Sequence, residues 1–413
     1  MSKPIIIAGA GPVGLVTALL LHRQGREVRL FEAVRELKPL GVGINLLPHS
    51  VRVLDSLGLS EYLDNIAIRT GALHYYNKFG QQIWAEPRGL DAGYPYPQYS
   101  VHRGRLQLML LERVLAELGE DAVATGHRLV DWQDGDDGIE VSFEQADGSR
   151  VEATGYCLIA ADGINSTARA RLYPDEGPAI YGGRILWRGM TEAPPYLDGR
   201  TMFMAGYQDC KFVAYPIARL ENGNAMINWI AELSVPDYVQ GDQDWNREVT
   251  TDVFAGQFAD WDFGWVNIPA IIHGCDKVFE FPLSDRDPLP QWSHGRMTLI
   301  GDAAHPMYPI GSNGASQGIL DAEKLVQELS RDQPLADALR SYEEERRPAT
   351  SKIVLSNRQN GPEQVMQMAE DRAPDGFTNI EDVISRAELE EVAARYKQTA
   401  GFSVQTVKEK SNS

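Results

Sequence analysis

The sequence predicts an α/β fold: a parallel sheet covered by helices, interrupted by a mostly antiparallel β-rich insert and followed by C-terminal helices. Three observations carry this. Residues 4–32 run as an apolar stretch, a glycine-rich turn, a longer apolar stretch and a second short apolar run. The same texture returns at 297–330. Between about 180 and 290 it gives way to short runs rich in aromatics, among them Phe203, Phe212, Phe279 and Phe281, the texture of an antiparallel sheet rather than of βαβ units.

In chain order, residues 4–8 read as a buried parallel strand, 13–21 as a helix closed by Gly25, and 28–31 as a second strand. Residues 103–118 set Leu106, Met109, Leu110, Val114, Leu115 and Leu118 on one helical face, with Gly119 just past the end. Asp/Gly turns at 134–138 and 147–148 join strand-like pieces that return to a buried strand at 156–161. After the insert, an apolar strand at 297–300 leads into a glycine-rich loop and helices over 314–330 and 334–358. Pro374 and Gly376 suggest a hinge before a helix near 380–398. The expected division is residues 1–175 with 290–355 as one discontinuous domain, 176–289 as the insert and 356–413 as a helical tail.

The 413 residues suffice for two or three domains at about 100–200 residues each. Lys plus Arg number 39 against 58 Asp plus Glu, a net charge of −19, which argues against nucleic acid or an anionic membrane as partner, since both require a basic face. Cys157, Cys210 and Cys275 show neither C-x-x-C nor metal-ligand spacing, so no metal site is expected and a reduced, cytoplasmic setting is. The apolar run at 5–8 is too short for a signal core or a membrane span. No Ser-His-Asp order, H-E-x-x-H or P-loop supports a hydrolase or phosphotransferase.

Gly9, Gly11 and Gly14 form G-x-G-x-x-G between the first strand and the first helix, and Glu32 ends the second strand. In a Rossmann-like site the first glycine allows the tight turn, the second lets a pyrophosphate approach, and the third lets helix pack on strand. The helix N-terminus faces phosphate, and the carboxylate accepts from ribose hydroxyls. This pattern does not separate FAD from NAD. A second one, Gly301-Asp302-Ala303-Ala304-His305 after an apolar strand and before a helix, places a carboxylate and a helix start beside a further length of ligand. Standing alone it would read as a strand end and a cap. A third, Asp162-Gly163 with Ser166 and Arg169, ends the strand at 156–161.

Together, in this order, the three patterns resemble the single-component, FAD-dependent aromatic hydroxylases, the family of para-hydroxybenzoate and salicylate hydroxylases. The resemblance spans roughly residues 3–355 and takes in Arg103 opening a helix after Val101-His102, and Tyr342-Glu343 to Arg346-Arg347-Pro348. Residues 41–45, 84–89, 96–100, 258–264, 285–290 and 307–316 resemble the family's phenazine hydroxylases.

The resemblance implies a glutathione-reductase-type FAD domain, FAD as cofactor, NADH or NADPH as co-substrate, and O2. It implies oxygen transfer from a flavin C4a-hydroperoxide to a small planar aromatic or N-heteroaromatic substrate. Carried onto this sequence, it makes Gly9, Gly11, Val13, Gly14, Glu32, Ala33, Arg103 and Asp302 FAD contacts, with Gly43 near the ring. Asp162 and Arg169 match a motif linked to the FAD pyrophosphate and the nicotinamide nucleotide, with a partly structural role. Gly314 and Ala315 fall at the pyrimidine edge of the flavin, and Pro309 and Gly311 near C4a. His305 reads either as catalytic or as an imidazole locked to backbone. Trp187, Arg188, Tyr215, Trp229 and Tyr308 are candidates for a flat pocket, Arg188 pairing a carboxylate, although each aromatic reads equally as sheet core. Same-fold alternatives are an epoxidase, a Baeyer-Villiger enzyme or a reductase; a flavin redox sensor without catalysis is another. A monomer or homodimer is expected.

Overall fold

The computed structural model describes residues 3–39, 41–238 and 247–411; residues 239–246 of the expected insert lie outside the described residues. Ile5–Ala8 is buried along its whole length within a six-stranded sheet, which accounts for its unbroken apolar run. Across the sheet the order is Ser293–His294, Met297–Leu299, Leu158–Ala160, Ile5–Ala8, Val28–Glu32 and Val123–Thr125. Every neighbouring pair is parallel except the edge pair of Ser293–His294 with Met297–Leu299.

Helix Pro12–Arg23 follows the first strand, with proline in its first turn where no N–H bond is lost. Helix Arg103–Leu118 buries Leu106, Met109, Leu110 and Val114, and His102 caps it by accepting from the Gly104 N–H at 3.1 Å. Arg128–Asp134, Ile139–Glu144 and Arg150–Gly155 form an antiparallel meander at the expected turns. Helices Gly314–Leu329 and Leu335–Asn357 stand where the sequence places them.

The second large sheet has eight strands, in the order Glu248–Val249, Cys275–Asp285, Ile180–Ala193, Ala225–Ser234, Cys210–Arg219, Thr201–Tyr207, Ala72–Tyr76 and Gln82–Pro87. Its last two strands come from well before residue 176. Ala72–Tyr76 joins parallel to Thr201–Tyr207, and the other pairs are antiparallel. Because side chains alternate between faces, each strand serves two cores. Phe203, Phe212 and Trp229 pack outward with Phe254 and Phe258. Leu73, Met202, Met204 and Val213 pack inward, where helices Gln364–Arg372 and Arg386–Thr399 cover them through residues such as Val365 and Leu389. The residues expected to form a tail are therefore the roof of the inner face. A small sheet of Gly43–Leu46, Gln98–His102 and Ala67–Thr70 is interleaved in sequence with strands of both large sheets. Among the described residues no helix is long and apolar enough to cross a membrane.

Candidate active site

The glycines of the first turn divide by job. A Cβ on Gly9, whose φ is +107°, would overlap the Ala161 carbonyl, and one on Gly14 would overlap the Gly9 carbonyl. A Cβ on Gly11 would meet nothing within 4 Å, so that position is open for a ligand while its two neighbours serve packing. Glu32 points back at the turn: Oε2 accepts from the Ala10 N–H at 2.7 Å and Oε1 from the Val34 N–H at 2.9 Å. Ala33 beside it is exposed.

Val13 joins this turn to the second motif. Its methyls lie 3.3 Å from the Cβ position of Gly301, and a Cβ on Gly318 would collide with them. The two glycines admit Val13 and bring the starts of helices Pro12–Arg23 and Gly314–Leu329 together. Asp302 is exposed at this junction, its Oδ1 4.0 Å from the Cβ position of Gly314, and Ala315 is half-buried beside it. Arg103 is exposed at the head of its helix, with its guanidinium 3.9 Å from the Cβ position of Gly41.

Asp162 accepts from the Ala168 N–H through Oδ2 at 3.1 Å, while its Oδ1 is buried without a partner. Burial pushes its carboxyl above the ordinary value, against the hydrogen bonds of Ser166 and the local backbone. An orphaned buried oxygen here and open space over Gly11 fit a polar, extended ligand such as FAD. Arg169 acts from behind. It is buried and donates to the carbonyls of Ala304 at 2.9 Å and Asp287 at 3.0 Å and to Glu176 Oε2 at 2.9 Å. Nη1 thus holds the Ala303 and Ala304 carbonyls of the Gly301–Ala304 turn, while Nε and Nη2 are engaged by Glu176 and Asp287.

His305 is a correction to its catalytic reading. It is buried against Trp292, with Nε2 paired to Asp321 rather than to backbone. Asp321 also accepts from Arg346 Nε at 2.7 Å and from the Gly301 N–H at 3.2 Å. Burial alone would raise the Asp321 carboxyl, but His305 and Arg346 more than offset this and hold it below the usual range. His305 therefore anchors the Gly-Asp turn to the core and reaches no open space.

Two of the five pocket candidates are also corrected. Trp187 lies on the outer face, donating to Glu280 Oε2 at 3.0 Å and stacked 4.9 Å from Phe254. Trp229 is on the same face, donating to Thr191 Oγ1 at 3.0 Å. Period-two alternation sends Trp187 and Arg188 to opposite sides, as it does Trp229 and Asn228. Arg188 and Tyr215 do face inward and meet at Gly43, whose carbonyl accepts from Arg188 Nη2 at 2.9 Å and from the Tyr215 hydroxyl at 2.8 Å. Burial pushes the Arg188 guanidinium down somewhat and the Tyr215 phenol up, so Tyr215 keeps its proton and donates. Asn228, missed in the sequence, accepts from the Gly43 N–H at 2.6 Å; the even-numbered alternation along Ala225–Ser234 was the signal that pointed to it. Tyr308 packs against Gly182 and lines a separate cleft with Arg184, Arg358 and Asn360.

Pro309 is exposed, and Gly311 adopts φ +67° with Tyr396 occupying the volume a side chain would need. Behind this turn a narrow cavity is walled by Leu73, Met202 and Met204 of the sheet, by Gly311 and Ser312, and by Tyr396. Tyr75, Glu86, Arg88, Gln98 and Lys397 supply its polar lining. Glu86, Arg88 and Gln98 fall within the segments 84–89 and 96–100 noted in the sequence, but nothing local gave these residues, Tyr75 or Lys397 a place in a cavity that gathers them from four separate segments.

Two helix starts meeting through Val13, a glycine-opened turn and an acidic residue at each end fit FAD and define the class of FAD-binding flavoproteins. A family model described as FAD binding domain matches residues 2–194 and 211–356, and the chain belongs to that family. It is 45% identical over 367 residues to the phenazine 1,6-dicarboxylic acid hydroxylase PhzS of Lysobacter antibioticus, covering 86% of this chain and 89% of the relative. It is 30% identical to 3-hydroxybenzoate 6-hydroxylase 1 of Aquipseudomonas alcaligenes, covering 87% and 88%. A salicylate hydroxylase substrate complex shares the fold at a TM-score of 0.74 and 24% identity, covering 99% and 98%. The chain is an FAD-dependent monooxygenase of the aromatic hydroxylase class.

Proposed function

We propose that this enzyme takes electrons from NADH or NADPH and one oxygen atom from O2 to hydroxylate a planar N-heteroaromatic ring of the phenazine type, held on the inner side of the eight-stranded sheet. The observation that supports it is the Val13 junction, which packs the Gly11 turn against Gly301 and Gly318, next to the start of helix Gly314–Leu329. The 45% identity to a phenazine hydroxylase supports the ring class.

FAD, when bound, supplies the hydride acceptance and oxygen activation. The chain's own residues bind and orient. Gly11 and the helix start at Pro12 would receive the pyrophosphate, Glu32, already accepting from the Ala10 and Val34 N–H groups, would also accept from ribose hydroxyls, and Asp302 would accept from hydroxyls of the linker between pyrophosphate and ring. The N-terminus of the sixteen-residue helix Gly314–Leu329 would favour negative charge on the pyrimidine edge of the ring. Gly43, clamped by Arg188, Tyr215 and Asn228, ties the ring-side loop to the sheet that covers the substrate. Leu73, Met202 and Met204 give the inner side of that sheet an apolar lining, which would exclude water from the reacting ring.

The test is NADH and NADPH oxidation by the FAD-loaded enzyme with phenazines, quinolines and salicylates, each product identified by mass and peroxide release measured alongside. Substrate-stimulated oxidation with a gain of one oxygen supports the proposal. A gain of two hydrogens would make the enzyme a reductase, and no stimulation by any ring would leave the sensor reading.

A further inference from the structure

We infer that the small cavity behind Gly311 is a built site for one water molecule, held by Tyr75, Arg88, Gln98 and Glu86 where two sheets and a C-terminal helix meet. Size limits the occupant. The space open to the centre of a water molecule is about 20 Å³, enough for a single water, which needs about 10–15 Å³ measured in this way, and far too little for an aromatic ring. Leu73, Met202 and Met204 close the apolar side of the cavity, and polar groups gather on the rest of its wall. A polar cavity of this size holds water, whereas dry ones are apolar.

The hydrogen-bonding groups specify the molecule. Tyr75, Glu86, Arg88 and Gln98 are all buried. The Tyr75 hydroxyl, Arg88 Nε and Gln98 Oε1 have no partner in the protein; the first two donate and the third accepts. Burial, and after it the nearby Glu86, pushes the Tyr75 phenol far above its ordinary value, so it keeps its proton. Glu86 Oε1 accepts from Arg88 Nη2 at 2.5 Å, and Oε2 meets Lys397 Nζ at 2.6 Å, with a lone pair left over. Two donors and two acceptors thus face one small space, and a water molecule accepts twice and donates twice. Chloride would satisfy Tyr75 and Arg88 but would turn negative charge on Gln98 Oε1 and Glu86. Ammonium would satisfy the two acceptors and leave both donors facing a cation. Charge balance requires no ion either, because Glu86 and Arg88 neutralise each other in the interior, and the Lys397 side chain, 25% exposed, keeps contact with solvent.

Tyr75 belongs to strand Ala72–Tyr76 and Glu86 to its partner Gln82–Pro87, while Gln98 opens Gln98–His102, the strand paired with Gly43–Leu46. A shared water therefore joins the eight-stranded sheet to the small one. Lys397 adds helix Arg386–Thr399 to the same joint through Glu86. Gly311 and Ser312 form the adjoining wall, so the joint backs the turn that begins at Pro309.

A crystal structure of the FAD-loaded enzyme at a resolution that shows ordered water, with a second crystal grown in bromide, tests this. One water is expected within hydrogen-bonding distance of the Tyr75 hydroxyl, Arg88 Nε, Gln98 Oε1 and Glu86 Oε2, with no anomalous bromide signal there. Unfolding in urea gives a second readout. Tyr75→Phe and Gln98→Leu should each lower the midpoint, and the double variant should lose clearly less than the sum, because the first substitution already releases the shared water. No direct hydrogen bond to Tyr75 exists to produce that coupling. A cavity without density, a bromide peak inside it, or additive losses in the double variant overturns the assignment. Should the variants fail to fold, the two crystals decide it alone.

Discussion

The hydroxyl of Tyr396 lies 3.2 Å from the carbonyl of Ile310 and 3.1 Å from Asn357 Oδ1, and accepts from Asn313 Nδ2 at 3.0 Å. One phenol from a late helix thereby fixes the Pro309–Gly311 turn and the residue preceding helix Gly314–Leu329. Tyr396→Phe removes these bonds while keeping the ring. Unfolding stability should fall by about 1–2 kcal/mol, with FAD still bound. The looser turn should raise the share of NAD(P)H oxidation that ends as free peroxide, read as the ratio of peroxide to product. An unchanged ratio would mean that the turn needs no tether from behind.

Gly11 and Gly14 should separate folding from binding. Gly11→Ala adds a methyl to open space, so the apoprotein should keep its thermal midpoint while FAD affinity drops by tenfold or more. Gly14→Ala drives a methyl into the Gly9 carbonyl and should lower the apoprotein midpoint itself. Flavin titration beside apoprotein melting distinguishes the two, and equal melting losses would contradict the division of roles.

Asp302 is exposed and bonded to nothing that holds the fold together. Asp302→Ala should leave the circular dichroism and melting of the apoprotein unchanged and cost at least tenfold in FAD affinity, since a charged acceptor for a hydroxyl is lost. Full FAD occupancy in the purified variant would remove Asp302 from the cofactor site.

His49 predicts a pH dependence. Its ring is buried 5.6 Å from Phe402, and burial first, then Arg346, Lys410 and Arg52, push its pKa from 6.5 down to about 3. Below pH 6.5 the unfolded chain binds a proton at this residue that the folded chain refuses. Stability therefore falls on acidification between pH 6.5 and 3, at up to about 1.4 kcal/mol per pH unit. His49→Gln should flatten that slope in urea unfolding at pH 7, 6 and 5. A slope identical to the parent's would place the titrating group elsewhere.

The parallel sheet and its glycine turn were legible because local chemistry dictates them: Gly9, Gly11 and Gly14 have steric jobs readable from spacing, and helix Arg103–Leu118 begins and ends where its apolar face does. The eight-stranded sheet was legible as texture but not as membership. Nothing local in Ala72–Tyr76 announces a partner at Thr201–Tyr207, since strand pairing is a long-range choice. The pocket was read least well. Adjacent residues such as Trp187 and Arg188 cannot share a face of a regular strand, and choosing between them required knowing which side the C-terminal helices cover. Likewise His305 resembled an acid/base group until its partner Asp321, sixteen residues on, was seen to lie in the core.

The position of Met297–Leu299 beside Leu158–Ala160, itself beside Ile5–Ala8, bears on how the protein is made. A ribosome adding about 5–20 residues per second releases the first strand on the order of 15–60 s before the strand that completes its side of the sheet. For that interval the nascent chain carries apolar strands that have no finished sheet to enter. A message broken before that point yields a chain whose parallel sheet lacks the strand Met297–Leu299.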